Sequence, residues 1–178
     1  MNLDPLIPVF AAIEKVPKAS SPPANLHDYQ ATYASFSWTD ARAQLDGLPG
    51  GKGLNIAYEA IDRHVAHGLG DKVALRWLAK NGGRYDFTYR ALAESSNRFA
   101  NVLRELGVRA GDSVFALAGR VPALYIAALG TWKAQGVFCT MFSAFGPEPI
   151  RTRMSIGGAK VLITTATLYE KKIAPIRA

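Results

Sequence analysis

Short apolar runs alternate with helical spacing over the second half of the chain. Three of these runs have the length and composition of buried strands: Val114 to Ala118, Val137 to Met141 and Lys160 to Thr164. One helix is predicted from Pro122 to a stop at Gly136, and another from Pro147 or Pro149 to a stop at Gly157. Strands joined by helices of this length pair in parallel through right-handed crossovers. The pattern therefore predicts an α/β fold, a mainly parallel sheet with helices on both faces.

A helix and a hairpin are predicted before this alternation. Asn55 has the side chain of a helix N-cap, and Gly68 suits the end of that first helix. The segments Val73 to Ala79 and Arg84 to Tyr89 are rich in strand-forming residues, and turn residues including two glycines separate them. These two segments therefore predict an antiparallel hairpin.

The clearest helical periodicity follows the hairpin. Thr88 suits the N-cap of this longer helix, and Gly107 suits its end. Residues that recur at three- and four-residue steps predict one inward-facing stripe. The stripe comprises Leu92, Ser95, Ser96, Phe99, Val102, Leu103 and Leu106.

The first 54 residues predict an irregular leader. Proline and serine cluster at Ser20 to Pro23, and the sequence LPGGKG closes the segment at Gly53. A secretory signal would carry a basic residue where this chain has Asp4, and its apolar run would not be interrupted as it is here by Pro8. No export signal is therefore expected. We therefore expect two regions, a leader of residues 1–54 and an α/β portion of residues 55–178.

The composition is that of an ordinary globular domain. The 178 residues are 49% hydrophobic and 20% charged, which excludes disorder, collagen and coiled coil. The longest apolar stretch, Val121 to Leu129, is shorter than the roughly 20 residues that cross a bilayer, so no membrane span is expected. The single cysteine, Cys139, cannot form an internal disulfide, which favours a cytoplasmic location.

The charge is unevenly distributed. Met1 to Asp62 carries a net charge of −3, whereas Arg63 to Ala178 carries +10. A basic region of this kind attracts nucleic acid, anionic lipid or a phosphorylated small molecule, and composition does not choose among them.

Several motifs suggest chemistry but fit structural roles better. GGKG at Gly50 to Gly53 lacks the spacing, the Ser or Thr and the preceding strand of a phosphate-binding loop, so a turn is expected. His64 and His67 have a spacing that could serve a metal, but contact with the helix C-terminus is the better interpretation. Cys139 lies in a predicted buried strand, which favours packing over catalysis. Ser143 follows that strand but lacks the GxSxG sequence of a nucleophilic serine.

Basic residues predominate after Gly146. Lys171 and Lys172 stand just past the last predicted strand, where α/β sheets hold ligands and a phosphate could be bound. Solvated surface charge is the alternative interpretation for each lysine.

Four sequence blocks resemble the N-terminal part of AMP-forming acyl-CoA synthetases, especially the acetyl-CoA synthetases. The blocks are LNIAYEAIDRH (residues 54–64), DFTYRALAESSNRFANVLRELGVRAGDSVF (86–115), PALYIAALGTWKAQGVFCTMFSAFGPEPIRTRM (122–154) and AKVLITT (159–165). The FTYRAL and WKAQG sequences are similar to those of adenylate-forming enzymes in general. FSAFGPE followed by Arg153 is similar to the acetate and short-chain acid branch.

The resemblance implies a two-step ligase. A carboxylate and ATP give an acyl-adenylate and pyrophosphate, and the thiol of coenzyme A then displaces AMP to give a thioester. ATP, Mg²⁺ and coenzyme A are thus implied for the whole enzyme, with acetate or a short-chain acid as substrate. The family's phosphate loop, its nucleotide-binding motifs and its catalytic lysine have no match in these residues. We therefore expect residues 55–178 to be the first, truncated α/β portion of such an enzyme, inactive by itself.

The resemblance carries over few site residues. A basic cluster after the strand equivalent to KVLIT contacts the 3′-phosphate end of coenzyme A in the family, and Lys171 and Lys172 are the nearest match. Arg153 matches an arginine that follows the FSAFGPE loop, and we expect it to orient that loop by an ion pair with Glu148. No catalytic residue and no metal ligand is assigned.

Two other functions remain open at this point. The chain could be a non-catalytic basic module that binds coenzyme A or another polyanion. Nucleic-acid binding rests on net charge alone and is disfavoured, because the aromatic residues fall mostly on predicted core positions. An unpaired edge of the truncated sheet would also favour self-association.

Overall fold

A computed structural model describes residues 25–177. Within the described residues the chain divides into two compact units, residues 25–42 and 43–177. In the first unit helix α1 spans Tyr29–Ser35, and Asp28 caps it by accepting a hydrogen bond from the backbone N–H of Ala31 at 2.9 Å. Helix α2 spans Trp38–Ala43. These helices correct the expectation of irregular structure for this part of the leader, whereas the Ser20 to Pro23 cluster lies outside the described residues.

The first helix of the second unit begins and ends as predicted. The Asn55 side chain accepts hydrogen bonds from the backbone N–H groups of Ala57 and Tyr58 at 2.9 and 3.3 Å. Two π-helical turns follow, Tyr58–Asp62 and Val65–Leu69. The backbone leaves the helical conformation at Gly68, whose φ is +80°.

The predicted hairpin is confirmed. Strand β1 spans Val73–Leu78 and pairs antiparallel with strand β2, Arg84–Thr88. On one face Asp86 accepts hydrogen bonds from Arg76 at 2.7 Å and Arg84 at 2.9 Å. These two guanidinium groups, Arg76 above all, hold the pKa of the Asp86 carboxyl well below its usual range.

Helix α3 spans Tyr89–Glu105, and Thr88 caps it by accepting a hydrogen bond from Ala91 N–H at 3.1 Å. Gly107 ends it as predicted, in a left-handed conformation. The predicted stripe is partly wrong, because Val102 and Leu106 are about half exposed. The buried residues of α3 are Leu92, Ala93, Ser96, Ala100 and Leu103.

Three parallel strands form the second sheet, as predicted. Strand β3 spans Ser113–Leu117, β4 spans Val137–Met141 and β5 spans Ala159–Thr164, in the order β4-β3-β5. Helix α4, Pro122–Lys133, connects β3 to β4, and helix α5, Pro147–Ile156, connects β4 to β5. The fold class expected from the sequence, a mainly parallel α/β sheet with a separate hairpin, is confirmed.

Both faces of the central strand are covered. Val114 packs in a core with Ala100 and Leu103 of α3, and Phe115 and Leu117 pack on the other face with Ile150 of α5. A third core joins the first helix, α3 and α4, and the hairpin packs against it. The half-buried Cys139 packs with the Phe115 cluster, which agrees with its predicted packing role.

Three short turns follow β5. Helix α6 spans Ala166–Leu168, a π-helical turn spans Tyr169–Ile173, and a 3₁₀ turn spans Ala174–Ile176. Ile173 is buried and anchors this segment in the core that contains Ile150. Within residues 25–177, no helix has the length and hydrophobicity needed to cross a membrane.

Helix α4 ends before Gly136, the predicted stop. The residue in the left-handed conformation there is Gln135, with φ +63°. Gly136 is still required, because a Cβ there would lie 3.0 Å from Thr131 Cγ2 and 3.2 Å from the carbonyl oxygen of Asp112. Its backbone N–H donates to the carbonyl of Thr131 at 2.9 Å, which closes the helix end.

Helices α3 and α4 lie close together at Gly130. A Cβ built there would lie 2.7 Å from Phe99 Cδ1 and 3.0 Å from the carbonyl oxygen of Ser96. The oxygen belongs to the backbone and cannot rotate away. The close approach fits the small side chain of Ser96, which is fully buried on α3.

We predict that Gly130→Ala lowers the free energy of unfolding by about 1–3 kcal/mol, because the added methyl group forces the two helices apart. Urea unfolding followed by circular dichroism measures the change. Gly119→Ala is the matched control, since a Cβ at Gly119 meets open space, and it is expected to change the free energy by less than ~0.5 kcal/mol. Equal stability of the two variants would contradict the packing argument.

Candidate functional site

The carboxyl ends of the three parallel strands lie level with one another. Leu117 at the end of β3 pairs with Met141 at the end of β4 and with Thr164 at the end of β5. The loops that follow therefore start from one edge of the sheet. Open α/β sheets bind ligands at this edge, which makes it the candidate functional site.

The loop from Phe142 to Gly146 follows β4 and carries the FSAFG sequence. The Phe142 and Phe145 rings meet edge to face with centroids 5.7 Å apart, and Phe145 N–H donates to the Phe142 carbonyl at 3.0 Å. Arg153 lies over the Phe145 ring, with its Cζ atom 4.2 Å from the ring centroid. A cation over an aromatic face is attracted by the ring electrons. Arg153 thus contacts the loop through an aromatic ring.

The predicted ion pair between Arg153 and Glu148 is wrong. Glu148 is paired instead with Arg151, whose Nε lies 3.6 Å from Glu148 Oε2. Arg153 donates a hydrogen bond from Nη1 to the carbonyl of Pro149 at 3.1 Å. The arginine therefore contacts the loop through the Phe145 ring, whereas its hydrogen bond to Pro149 lies within its own helix, α5.

Lys172 holds the same loop from the other side. Its Nζ donates to the carbonyl oxygens of Ser143 and Phe145 at 2.5 and 2.7 Å. An ammonium group has three N–H donors, so these bonds occupy two of them. Because carbonyl oxygens carry no net charge, these partners do not neutralise the positive charge of Lys172. That charge therefore remains at the carboxyl edge of the sheet. Ser143 takes part through its backbone carbonyl, which fits the absence of a nucleophile motif.

Lys171 and Lys172 have different surroundings although they are adjacent. Lys172 is half-buried against the loop, whereas Lys171 is exposed. The sequence placed both lysines after the last strand but gave no sign that one of them binds the backbone of another loop. This contact could be predicted only by knowing which loops meet at the carboxyl edge of the sheet.

Two further groups at this edge were missed by the sequence reasoning. The hairpin residue Trp77 donates from its indole Nε1 to the carbonyl of Arg120 at 2.9 Å, which ties the loop after β3 to the hairpin. Arg120 itself is exposed. The hydroxyl of Thr164 is buried and makes no hydrogen bond to any residue in the described part of the chain. The register of β3 and β5 places Thr164 beside Leu117, the strand end that the loop containing Arg120 follows.

The other candidate motifs lie elsewhere. His64 packs on the Tyr89 ring with centroids 4.7 Å apart, and His67 Nε2 lies 3.1 Å from a carboxylate oxygen of Asp46, so the two rings have different partners. Within residues 25–177, no three His, Cys, Asp or Glu side chains are grouped closely enough to hold a metal ion. The GGKG segment forms a turn, closed by a 2.8 Å hydrogen bond from Leu48 N–H to the Gly53 carbonyl.

We predict that Lys172→Met loosens the loop after β4. The variant keeps much of the apolar stem but removes both hydrogen bonds, so amide hydrogen exchange in residues 142–146 should speed up by at least about fivefold. Lys171→Met removes the same charge from the neighbouring exposed position and should leave these amides unchanged. Equal exchange rates in the two variants would show that Lys172 does not hold the loop.

Comparison with known proteins agrees with this architecture. Residues 62–178 match the family of AMP-binding enzymes. The chain is 40% identical over 149 residues to an acetyl-coenzyme A synthetase of Bacillus subtilis, a match that covers 83% of this chain and 26% of that protein. It is 35% identical over 139 residues to a 3-hydroxypropionyl-coenzyme A synthetase of Sulfurisphaera tokodaii, covering 75% and 21%.

A solved structure shows the same fold. The acyl-CoA synthetase of Brucella canis superimposes with a TM-score of 0.75 at 32% identity, covering 84% of this chain and 27% of that one. The chain thus spans about a quarter of the length of the proteins it matches. These matches confirm the resemblance read from the four sequence blocks. Because the family match extends over more than half of the residues of this chain, the chain belongs to the AMP-binding enzyme family.

Proposed function

We propose that this chain forms the first α/β portion of an AMP-forming ligase that joins acetate or a short-chain acid to coenzyme A. The observation that carries the proposal is the position of the FSAFG loop. This loop bears the sequence most similar to the acetate and short-chain branch, and it begins at the carboxyl edge of the parallel sheet. Its conformation is held by Lys172 and by Arg153.

The proposed reaction has two steps. A carboxylate oxygen attacks the α-phosphorus of ATP, which forms an acyl-adenylate and releases pyrophosphate. The thiolate of coenzyme A then attacks the acyl carbon, forms the thioester and releases AMP. In this scheme the chain supplies a rigid edge with positive charge, while ATP, Mg²⁺ and the catalytic lysine act in the remainder of the enzyme.

We propose that Lys171 is the main contact of this chain for the 3′-phosphate of coenzyme A, and that Lys172 supports it. Lys171 is exposed and available, whereas Lys172 has two of its three donors bound to the loop carbonyls. The remaining N–H of Lys172 and its charge would add to the attraction of a phosphate. This division of roles refines the expectation that both lysines contact coenzyme A.

We predict that the 178-residue chain binds coenzyme A at least about threefold more tightly than dephospho-coenzyme A, the effect expected of one exposed ion pair. Lys171→Gln should abolish this preference. Lys160→Gln is the matched control, because Lys160 is also exposed but lies near the opposite end of β5. Calorimetric titration measures all affinities, and equal affinity of the unaltered chain for the two ligands would remove the role of Lys171.

We also predict that the chain alone catalyses no exchange of labelled pyrophosphate into ATP in the presence of acetate. The groups that stabilise charge on the transferred adenylyl phosphate are expected outside these residues. Turnover that survives further purification would contradict this division of labour. Coenzyme A binding without exchange activity in any longer form of the protein would instead favour the alternative, a non-catalytic module that binds coenzyme A.

Two expectations about the protein's surroundings accompany the proposal. A cytoplasmic location is supported by the single cysteine of the sequence. Self-association through the sheet is supported by the outer positions of β4 and β5 and by exposed apolar side chains such as Val137 and Ile156.

A further inference from the structure

A polar cleft lies at the opposite edge of the sheet, beside the end of α4. Its volume is about 470 Å³, within the range of small-molecule sites. Polar side chains from three helices and from the segment after α4 line it: Asn55, Asp62, Asn97, Arg104, Lys133 and Gln135. None of these residues belongs to the carboxyl edge where the proposed ligase site lies.

The cleft has rigid walls. Lys133 Nζ donates to Asp62 Oδ1 and to Asn97 Oδ1, both at 2.8 Å. Asn55 Nδ2 donates to the carbonyl of Trp132 at 2.8 Å. On the open side, Glu59 accepts hydrogen bonds from the backbone N–H groups of Gly47 and Asp46. These bonds fix the loop that contributes Leu48 to the lining.

Most of the polar groups of the walls that these hydrogen bonds leave unused are N–H donors. Arg104 uses one N–H for Asn101 Oδ1 at 3.0 Å and another for the Lys133 carbonyl at 2.8 Å, which leaves three of its five. The Asn97 amide accepts from Lys133 through its oxygen and retains its two N–H donors. The Gln135 amide adds two more.

The charge of the cleft is also positive. The Asp62 carboxylate is neutralised by Lys133 at 2.8 Å. Arg104 binds an amide oxygen and a backbone carbonyl, so its charge is not neutralised by these partners. An anion in the cleft would therefore meet one guanidinium group, while Asp62, the carboxylate among the lining residues, is already paired.

The backbone conformation of Gln135 also favours a binding site at the cleft. Within residues 25–177 it is the one non-glycine residue with a positive φ, at +63°. The corresponding position after α3 is occupied by Gly107, which adopts this conformation without strain. A glycine at 135 would relax the backbone, yet the chain keeps a side chain that lines the cleft. Residues held in such conformations cluster at binding and active sites, which favours a role for the Gln135 side chain in the cleft.

We propose that this cleft binds a small molecule through an oxyanion, either a carboxylate or a phosphoryl group. Arg104 provides the ionic contact, and the amides of Asn97 and Gln135 donate hydrogen bonds to the remaining oxygens. The proposal does not depend on the ligase function, because no residue of the carboxyl edge takes part in it.

The test titrates the 178-residue chain with sodium phosphate and, separately, with sodium succinate at constant ionic strength, followed by the backbone amide NMR signals of residues 97, 104 and 135. We expect saturable shifts with at least one of the two anions, and the one that binds identifies the oxyanion. Gln135→Gly should weaken binding at least about fivefold while raising the melting temperature by about 2–4 °C, since the strain is released.

Two arginine variants complete the test. Arg104→Gln should also weaken binding at least about fivefold. Arg98→Gln, the matched control on the same helix, removes an exposed arginine that contacts Ser95 and should bind as the unaltered chain does. The proposal is overturned if neither anion gives saturable shifts, or if Gln135→Gly retains full affinity. Equal weakening in both arginine variants would also overturn it, because attraction would then follow net charge alone.

Discussion

The C-terminal end of α4 is the constraint on which the rest of the second unit depends. Lys133 is only 11% exposed in its side chain, and an ammonium group buried to this degree must be paired. Its bonds to Asp62 and Asn97 join the first helix, α3 and α4 at one point. Asn55 and Arg104 bind the last carbonyls of the helix there. The start of β4 follows directly, so this junction sets where the outer strand begins.

A second lysine fixes the opposite end of β4. Lys172 binds the loop that follows Met141, and the Arg153 side chain lies over the Phe145 ring of that loop. Both lysines reach across 27 or more residues of sequence, but Lys133 is paired with Asp62, whereas Lys172 keeps its positive charge at the carboxyl edge of the sheet. A rigid loop and a retained charge are the properties that an anion-binding edge requires, because binding then costs little reorganisation. The proposed ligase site and the polar cleft thus lie at opposite ends of β4.

Much of the fold could be predicted because its signals are local. The caps Asn55 and Thr88, the stop at Gly107 and the hairpin all depend on neighbouring residues. The inward stripe of α3 was partly wrong because periodicity gives the apolar side of a helix, not how closely another helix approaches it. Gly130 lets α4 approach closely at Ser96 and Phe99, whereas Val102 is about half exposed.

By itself, the sequence determined the order of strands and helices from the first helix of the second unit to β5, the parallel class of the sheet and the family. These follow from spacing, turn residues and matching blocks, all of which are properties of contiguous segments. Only the tertiary structure decided which groups meet: that Arg153 lies on Phe145 rather than beside Glu148, that Lys172 binds the loop after β4, and that Gln135 lines a cleft. The physical reason is that a charged or amide side chain can pair with many partners of similar energy. Its partner is chosen by the packing that brings distant segments together.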